Sequence, residues 1–442
     1  MDSVTDAIRG ALAALPQDAS AGLCVALSGG LDSSVLLHAL ARLRPAAGLR
    51  AVYIDHGLHP QAARWGEHCA ALCAGLGVAF SSRQVTVQPA GEGMEAAARQ
   101  ARYQALLAGL RPGEMLLTAH HRDDQVETLL LNLLRGSGPA GLAGIASDGW
   151  RGEARLLRPL LALPRTALRE YARAAGINWI EDPANIDPRL DRNFLRLQLL
   201  PLLGSRWPAA AGSMARSAQL CAEAAQLLED LAAGDARRVS RRGRVQVALL
   251  AQLAEPRQRN LLRYLCRRET GSTPPQRRLR AGLAQLLQAG ADRRPLLAWP
   301  GGELRRFRGS LYIQPPLAPV APLAGELPVR AGARLDCGSI GRISLARTGS
   351  GGLAPRRVGA LLTVRLRRGG ERLRPAGESH HRELKKLLQE RGVVPWMRDR
   401  IPLLYADGEL VAVAGLWIAH EYVAVAGEPG LRVRWDQHPP IE

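Results

Sequence analysis

The feature that most constrains the fold is a polar glycine turn between an apolar run and a helix-like run. The apolar run spans residues 23–27, and the helix-like run spans residues 34–42. The turn consists of Ser28, Gly29, Gly30, Leu31, Asp32 and Ser33. Adjacent glycines let the backbone turn sharply and approach a ligand closely. Serine hydroxyls and the unpaired N–H groups that open the next helix favour an anion, so the turn is predicted to bind a phosphate or pyrophosphate.

Asp32 is the unusual member of this turn. No Gly-Lys-Ser/Thr follows the glycines and the pattern is not GxGxxG, so neither common nucleotide-binding motif is present. A carboxylate beside a phosphate site is expected where a divalent cation lies between the two, which predicts Asp32 as a Mg²⁺ ligand. The alternative is a structural glycine turn with an incidental acid at the start of a helix.

Short apolar runs alternate with helix-like segments through the first part of the chain. The predicted strands are residues 23–27, 51–54, 78–87 and 115–118. The predicted helices are residues 4–15, 34–43, 61–76, 94–110, 120–134 and 165–175. This alternation predicts an α/β fold with a doubly wound, mostly parallel sheet, in which ligands bind beyond the carboxyl ends of the strands.

Polar clusters follow three of the predicted strands. They are the glycine turn, then Asp55 and His56, then the segment from His120 to Glu127. Asp124 and Glu127 are three residues apart and share one helix face. Acids in a first helical turn also suit the helix dipole, but the dipole explains only one or two of them. Zinc remains an alternative although HExxH is absent, and we favour a pocket for a cationic ligand or magnesium.

Two further segments carry candidate residues. The helix predicted over 94–110 places Glu95, Arg99 and Arg102 on roughly one face. Arg192, Asn193 and Arg196 open a later helix, which Pro201 is predicted to end.

The charge balance predicts a polyanionic partner. Among 442 residues, Lys plus Arg number 59 and Asp plus Glu number 40, which gives a net charge of +19. Such an excess favours nucleic acid first and an anionic membrane surface second. Basic helices are predicted at 257–268 and 276–288, and a basic loop precedes a basic helix within 367–389. Solvated helix faces are the alternative; contacts to an RNA backbone are our interpretation.

The cysteines indicate a reducing compartment. Six are scattered along the chain without a CxxC pair, which argues against a disulfide framework or a zinc site. The N-terminus lacks a basic segment leading into an apolar one, and no apolar run reaches membrane-spanning length. We therefore expect a cytoplasmic protein with no membrane partner.

Several motifs together resemble one enzyme family. SGGLDSSV resembles the PP-loop of the N-type ATP pyrophosphatases. SGGLDSSV, IDHGLH, EAAARQARY, AHHRDDQVETLLLNLLRGSGPAGLAGI, RPLL and WIEDPANIDPRLDRNFLR occur in the order seen in the tRNA(Ile)-lysidine synthetase family. GGERLRPAG, HHRELKKLLQE and VPWMRDRIPLLY resemble the C-terminal domain of its long form. One departure is the segment 183–185, where the family more often has Ser before Asn.

The resemblance implies three domains. It implies a PP-loop ATPase domain over 1–205, of the adenine nucleotide alpha hydrolase-like class. A helical tRNA-binding middle domain over 206–314 and a small α+β tRNA-binding domain over 329–442 follow. The proline-rich stretch 315–328 between them is predicted to be a linker.

The resemblance also implies an activity: ATP-dependent ligation of L-lysine to C2 of the wobble cytidine in the CAU anticodon of tRNA(Ile), with Mg²⁺. The cytidine is first adenylated, and AMP and pyrophosphate are released. A homodimer is left open.

The site residues divide by expected role. Asp32, Asp124 and Glu127 are the expected catalytic residues, with Asp32 as metal ligand and Asp124 and Glu127 holding lysine. Residues 28–33, Asp55, His56 and Arg99 are expected at the nucleotide. The other residues expected at the substrates are Arg102, Arg192, Asn193, His380, His381, Lys385 and Lys386.

Two alternatives stay open. A tRNA thiolase or amidotransferase-like ligase on the same fold would usually need reactive or cluster-binding cysteines, and no CxxC pair is present. A non-catalytic RNA-binding protein would need neither Asp32 nor the acidic cluster. It would release no pyrophosphate when given ATP, lysine and tRNA.

Overall fold

A computed structural model describes residues 2–15, 22–45, 48–57, 59–87, 94–290, 293–349 and 351–442, the side chains of residues 95, 96 and 185 excepted. Glu95, expected on the face of Arg99 and Arg102, therefore has a side chain outside the described part. The chain divides into two compact units, Met1–Leu228 and Glu229–Glu442, called here the N-terminal unit and the C-terminal unit.

The N-terminal unit alternates strands and helices. Its helices are α1 (Ser3–Ala13), α2 (Leu31–Leu43), α3 (Ala62–Leu76), α4 (Met94–Ala108), α5 (Arg122–Leu134), α6 (Pro139–Leu142), α7 (Arg165–Ala174), α8 (Asp191–Phe194) and α9 (Leu200–Arg206). Its strands are β1 (Gly22–Ala26), β2 (Leu49–Asp55), β3 (Ala79–Gln84), β4 (Glu114–Leu117), β5 (Asp148–Arg151) and β6 (Ala154–Leu157). The long helix α10 (Ala210–Val239) begins in this unit.

These six strands form one sheet in the order β3-β2-β1-β4-β6-β5. All neighbours are parallel except β5 and β6, which form an antiparallel pair. Side chains alternate between the faces of β1. Leu23 and Val25 pack in a core with α1, α2, α3 and α7, while Cys24 packs in a second core with α4. Helices therefore cover both faces, and the predicted doubly wound, mostly parallel sheet is confirmed.

The helical segment around Pro201 differs from the prediction. The sequence predicts that Pro201 ends the helix that begins near Arg192. The backbone instead continues from α8 through a π-helical turn, Leu195–Leu199, into α9. A proline removes one N–H and its ring displaces a carbonyl of the preceding turn. The wider π-helical turn precedes Pro201 and lets the helix continue, because its hydrogen bonds reach one residue further.

The C-terminal unit combines helices with antiparallel sheets. Its helices are the end of α10, α11 (Val247–Leu250), α12 (Glu255–Thr270), α13 (Gln276–Gln288) and α14 (Leu384–Arg391). Strands β7 (Ser240–Arg241), β8 (Arg244–Gln246), β9 (Leu296–Trp299), β10 (Gly302–Phe307) and β11 (Ser310–Gln314) form a five-stranded sheet in the order β7-β8-β11-β10-β9. The predicted helices of the middle region are present. They pack against this five-stranded sheet, and the sequence does not predict the sheet.

The remaining strands build the end of the chain. They are β12 (Ala324–Pro328), β13 (Arg334–Asp336), β14 (Arg342–Thr348), β15 (Leu361–Arg365), β16 (Arg372–Leu373), β17 (Arg382–Glu383), β18 (Leu403–Ala406), β19 (Glu409–Val413), β20 (Trp417–Ile418) and β21 (Gly430–Asp436). They form a five-stranded sheet in the order β12-β15-β18-β19-β20, a three-stranded sheet β13-β14-β21 and the pair β16-β17.

The linker prediction is wrong at its C-terminal end. Residues 315–328 read as a proline-rich linker, but Ala324–Pro328 pairs with β15 as an edge strand. Proline is compatible with an edge strand because the missing N–H does not interrupt an inner ladder. Within the described residues, no helix is both long and apolar enough to cross a membrane.

Candidate active site

The glycine turn joins β1 to α2 and holds its own hydroxyls in place. Gly29 has a φ of +79°, and a Cβ there would lie 2.7 Å from Ile180 Cδ1, so a side chain would be both strained and obstructed. The Ser28 and Ser33 hydroxyl oxygens lie 3.0 Å apart, and Ser33 Oγ donates to Gly30 O at 3.2 Å. The turn presents the N-terminus of the long helix α2 beyond the end of β1, where free N–H groups favour an anion.

His121 links the glycine turn to the acidic helix. Its Nε2 lies 3.6 Å from Asp32 Oδ2 and 3.5 Å from Asp124 Oδ2. The backbone of His121 also donates to Asp124 Oδ2 at 3.0 Å, which holds that carboxylate at the first turn of α5. Arg165 lies near the other oxygen of Asp32, with its Nε 3.5 Å from Oδ1. Asp32 and Asp124 therefore lie in one site, as the positions of β1 and β4 in the sheet predict.

The pKa values of this trio reflect their mutual contacts. Burial is the largest influence on His121 and would lower its pKa, but contacts with Asp32 and Asp124 hold that pKa above its ordinary value. Burial likewise would raise the pKa of Asp32, yet the interactions with His121, Arg165 and Arg196 hold it below its ordinary value. His121 is thus favoured as a cation between two carboxylates.

Glu127 forms an ion pair with Arg196 that the sequence does not predict. Its side chain is fully buried, and its two oxygens accept from Arg196 Nε at 2.7 Å and Nη2 at 3.1 Å. The same Nη2 lies 3.2 Å from Asp124 Oδ1. Burial raises the pKa of Glu127 despite Arg196. The cation that Asp124 and Glu127 hold in this structure is therefore the guanidinium of Arg196. Of the two carboxylates, Asp124 is the more accessible to solvent.

A second cluster is basic and surrounds a buried tyrosine. The guanidinium carbons of Arg99, Arg102 and Arg151 lie 5.3, 5.9 and 4.4 Å from the Tyr103 ring centroid. Burial lowers the pKa of Arg158, and Arg99 and Arg151 lower it further. Like charges held this close favour a bound anion, because an anion relieves their repulsion.

His120 is influenced by both this basic cluster and the acids. Its Nδ1 is 2.8 Å from the Thr118 hydroxyl. Burial is the main cause that lowers the pKa of His120 to about 3, and Arg158, Arg99 and Arg102 contribute while Asp124 opposes them. His120 is therefore a neutral side chain near neutral pH.

The other predicted site residues have separate surroundings. Asp55 accepts from Gly57 N at 2.8 Å and shapes the turn after β2. His56 has a buried Nδ1 without a hydrogen-bond partner in the described part of the chain. Arg192 donates to Thr128 Oγ1 on α5 at 3.3 Å. Asn193 is buried and donates to the carbonyls of Ala184 and Asp187, so its amide supports the neighbouring turn.

The candidates of the C-terminal unit lie on α14 and the residues before it, and they are solvent-exposed. They are His380, His381, Lys385 and Lys386. His381 Nε2 lies 3.7 Å from Glu421 Oε1, and Lys386 Nζ lies 3.8 Å from Glu383 Oε2. Their proposed contacts with tRNA stay a prediction.

Sequence reasoning did not assign roles to Arg165, Arg196 and Arg158, although each contacts or influences the site. The sequence places Arg196 only at the start of a helix. A signal was present for it, since it follows Arg192 and Asn193 within one helical turn. Arg165 offered no such signal, because it opens α7 after a proline, and only the sheet brings it to Asp32.

The donor set at Asp32 suits magnesium bound through phosphates. Asp32 Oδ1 is shielded from solvent and accepts no hydrogen bond from the described residues. No group of three or more His, Cys, Asp and Glu side chains within the described chain could hold a metal by itself. Mg²⁺ commonly binds through one or two carboxylates together with substrate phosphates and waters, so a carboxylate oxygen that accepts no hydrogen bond beside a phosphate turn fits it.

Burial makes four of the six cysteines poorly reactive. Cys24, Cys69, Cys73 and Cys266 are buried, and burial raises their pKa values to about 11, 12, 11 and 12. A thiol with a raised pKa is a poor nucleophile and metal ligand near neutral pH.

Three family models match successive parts of the chain. One described as a PP-loop domain matches residues 5–203, a TilS substrate binding domain matches residues 246–312, and a TilS substrate C-terminal domain matches residues 362–435.

Similar proteins cover nearly the whole chain. The tRNA(Ile)-lysidine synthase of Alkalilimnicola ehrlichii is 47% identical over 428 residues, 95% of each chain. The tRNA(Ile)-lysidine synthase of Methylococcus capsulatus is 41% identical over 424 residues, 93% of this chain and 95% of that one. Among solved structures, the U34-tRNA thiolase NcsA of Methanococcus maripaludis with its [4Fe-4S] cluster matches 50% of this chain and 78% of its own, at 16% identity and a TM-score of 0.40.

Proposed function

This chain belongs to the tRNA(Ile)-lysidine synthase family, and we propose that it uses ATP and Mg²⁺ to join L-lysine to C2 of the wobble cytidine in the CAU anticodon of tRNA(Ile). AMP and pyrophosphate are the by-products. The observation that carries the proposal is the position of His121, which contacts Asp32 of the glycine turn and Asp124 of the acidic helix. A phosphate site and an acidic site are thereby parts of one centre.

The glycine turn and Asp32 handle the pyrophosphate end of ATP. Residues 28–33 bind the phosphates through backbone N–H groups at the start of α2. Asp32 would hold Mg²⁺, and the bound ion would supply positive charge to the phosphates. Arg165 and His121 keep Asp32 ionised and oriented. Asp55 ends the neighbouring strand β2, His56 follows it, and both face the nucleotide from there.

The basic cluster around Tyr103 takes the other phosphate. Arg99 and Arg102 contact the AMP moiety or the RNA backbone, since both are anionic and both must lie beside the reacting cytosine. In the first step the cytosine O2 attacks the α-phosphate and pyrophosphate leaves. In the second step the lysine ε-amine attacks C2, its proton is released, and AMP leaves with the former O2. Positioned cations stabilise the negative charge in both steps.

Asp124 and Glu127 serve the lysine substrate in different ways. Asp124 is partly accessible and contacts the lysine ammonium group. Glu127 is fully buried and acts through Arg196, which it holds against Asp124. Lysine must lose a proton before it attacks, because only the free amine is nucleophilic.

The rest of the chain binds the RNA. We assign residues 1–205 to catalysis, 206–314 to a middle tRNA-binding domain and 329–442 to a C-terminal tRNA-binding domain, with the three matched family models inside these ranges. Arg192 and Asn193 border the site, and His380, His381, Lys385 and Lys386 contact the RNA. A cytoplasmic location completes the proposal, and a homodimer is left open.

The deciding experiment supplies ATP, labelled lysine and a CAU-anticodon tRNA(Ile) and analyses the nucleosides. We expect lysidine from the wild type and a loss of at least about 100-fold in the isosteric variant Asp32→Asn, because the metal-binding charge is gone. Asp6→Asn, an exposed acid on α1 paired with Arg9, is the matched control and should leave the rate unchanged. A wild type that incorporates no lysine contradicts the proposal, and a fully active Asp32→Asn contradicts the site.

A further inference from the structure

A small basic pocket in the C-terminal unit lies outside every site predicted above. It has a volume of about 160 Å³ and is called here the Trp396 pocket. Its lining consists of Arg294, Pro295, Arg305, Arg306, Pro395 and Trp396. Arg294 and Pro295 precede β9, Arg305 and Arg306 lie on β10, and Pro395 and Trp396 follow α14. Segments of this unit that are distant in sequence thus build one cavity.

The aromatic wall of the pocket is a packed indole ring with an unpartnered donor. The Trp396 ring packs edge-on against Phe307 and Tyr312, with centroids 6.3 and 5.2 Å away. Arg305 covers it with its guanidinium carbon 5.1 Å from the ring centroid. The indole Nε1 is shielded from solvent and has no hydrogen-bond partner among the described residues. A shielded indole N–H normally has an acceptor, and an oxygen of a bound ligand supplies one.

The charges around the pocket do not cancel. Arg305 is paired with Glu303, which accepts from its Nε at 2.8 Å and its Nη2 at 2.9 Å. Arg306 donates to the carbonyls of Leu286 and Leu287 at the end of α13, which offer only partial negative charge. Arg294 is exposed and forms no ion pair with any described residue.

A buried arginine beside the pocket adds to this excess. Arg398 is 9% exposed, and its Nε donates to Val393 O at 3.0 Å. Burial lowers the pKa of Arg398, and Arg294, Arg308 and Arg367 lower it further. An anion in the pocket would offset this repulsion, and a phosphate accepts well from several guanidinium groups.

We propose that the Trp396 pocket binds a phosphate of the tRNA backbone, with the adjoining sugar or base against the Trp396 ring. The proposal rests on the proposed function, because that function supplies the RNA. Size argues for a backbone phosphate over free ATP: 160 Å³ is below the roughly 300–1,000 Å³ of pockets that enclose drug-sized ligands. Arginine forks and an aromatic face are the groups that proteins use for RNA phosphates and unstacked nucleotides.

The test measures binding of fluorescently labelled tRNA(Ile) by anisotropy at several salt concentrations with the full-length chain. Arg294→Gln is the main variant, since Arg305 and Arg306 also support the fold. One lost phosphate contact should weaken binding roughly threefold to tenfold and reduce the slope of log K against log salt by about 1. Arg9→Gln is the control and should keep the wild-type slope, because Arg9 is an exposed arginine of α1 that is paired with Asp6 and lies outside the pocket lining and the proposed tRNA-binding ranges. Identical slopes for Arg294→Gln and wild type overturn the proposal.

A second variant tests the aromatic wall. Trp396→Phe retains a ring against Phe307 and Tyr312 but removes Nε1, so we expect tRNA affinity to fall by about tenfold or less with an unchanged melting temperature. Wild-type affinity in this variant overturns the role of Nε1 as a donor to RNA. Lysidine formation separates the two proposals. If the wild type makes lysidine but its salt slope equals that of Arg294→Gln, only the proposal for the pocket is overturned. If the wild type binds tRNA without making lysidine and Arg294→Gln reduces the salt slope, the proposed function is overturned and the pocket proposal is supported.

Discussion

Charged side chains are used differently in the two units. At the sheet edge of the N-terminal unit, Asp32, Asp124 and Glu127 are each matched by His121, Arg165 or Arg196 within 3.6 Å. Around the Trp396 pocket, arginines outnumber acids and Glu303 compensates only Arg305. A matched network holds groups in fixed positions and tunes their protonation, which chemistry requires. A cluster of arginines without matching acids attracts a polyanion, as the binding of a nucleic acid requires.

Topology explains part of this difference. In a parallel sheet the carboxyl ends of the strands meet at one edge, so side chains from distant segments converge there. The sheets of the C-terminal unit are antiparallel throughout the described residues, and consecutive strand ends lie at opposite edges. Basic residues there are spread over several elements, as a long nucleic acid backbone needs.

The largest effect is expected from a substitution that removes Arg196 from the matched network. Arg196→Ala leaves Glu127 fully buried without its cation, and we expect a loss of about 3 kcal/mol in the free energy of unfolding together with loss of lysidine formation. Chemical denaturation measures the first and nucleoside analysis the second. Adding Glu127→Gln to Arg196→Ala should recover part of the stability but not the activity. A double variant no more stable than Arg196→Ala would show that the pair is not coupled.

A smaller effect sharpens the comparison within the C-terminal unit. Most arginines of α12 are already paired, such as Arg257 with the buried Asp235 and Arg267 with Glu229. Arg277 on α13 is exposed and forms no ion pair within the described residues. We therefore expect Arg277→Gln to weaken tRNA binding by roughly threefold to tenfold and to reduce the salt slope by about 1.

Arg257→Gln is the matched variant on the neighbouring helix. It should lower the melting temperature, because Asp235 loses its partner, and leave the salt slope of tRNA binding unchanged. Equal salt slopes for the two variants would mean that internal pairing does not decide which arginines meet the RNA.

The smallest effect concerns pH. The pKa of His121 is raised in the folded state by Asp32 and Asp124. Its contribution to stability is therefore fully present below the ordinary histidine pKa of about 6.5 and is lost as pH rises through the raised folded value. The difference in unfolding free energy between wild type and His121→Gln should shrink as pH rises above neutrality, measured by urea denaturation. A difference that grows with pH would contradict a protonated His121 between two carboxylates.

Several features were predictable because they depend on local sequence. The alternation of apolar and helical runs predicts the parallel sheet, and the paired glycines predict the tight turn between β1 and α2. The failures lie where distant segments decide. The π-helical turn before Pro201 and the pairing of Ala324–Pro328 with β15 override local proline signals. The amide of Asn193 donates to the carbonyls of Ala184 and Asp187, and its expected contact with a substrate stays a prediction.

The sequence by itself determined the class of sheet, the edge at which acids and the glycine turn meet, and the family. These follow from periodicities of two and 3.6 residues and from backbone freedom, which are properties of neighbouring residues. Only the tertiary structure decided which cation each carboxylate has. Arg196 lies 69 residues from Glu127 in the chain and 72 from Asp124, and no local pattern pairs them. Such pairs form because folding buries both charges, and a buried charge without a partner costs free energy.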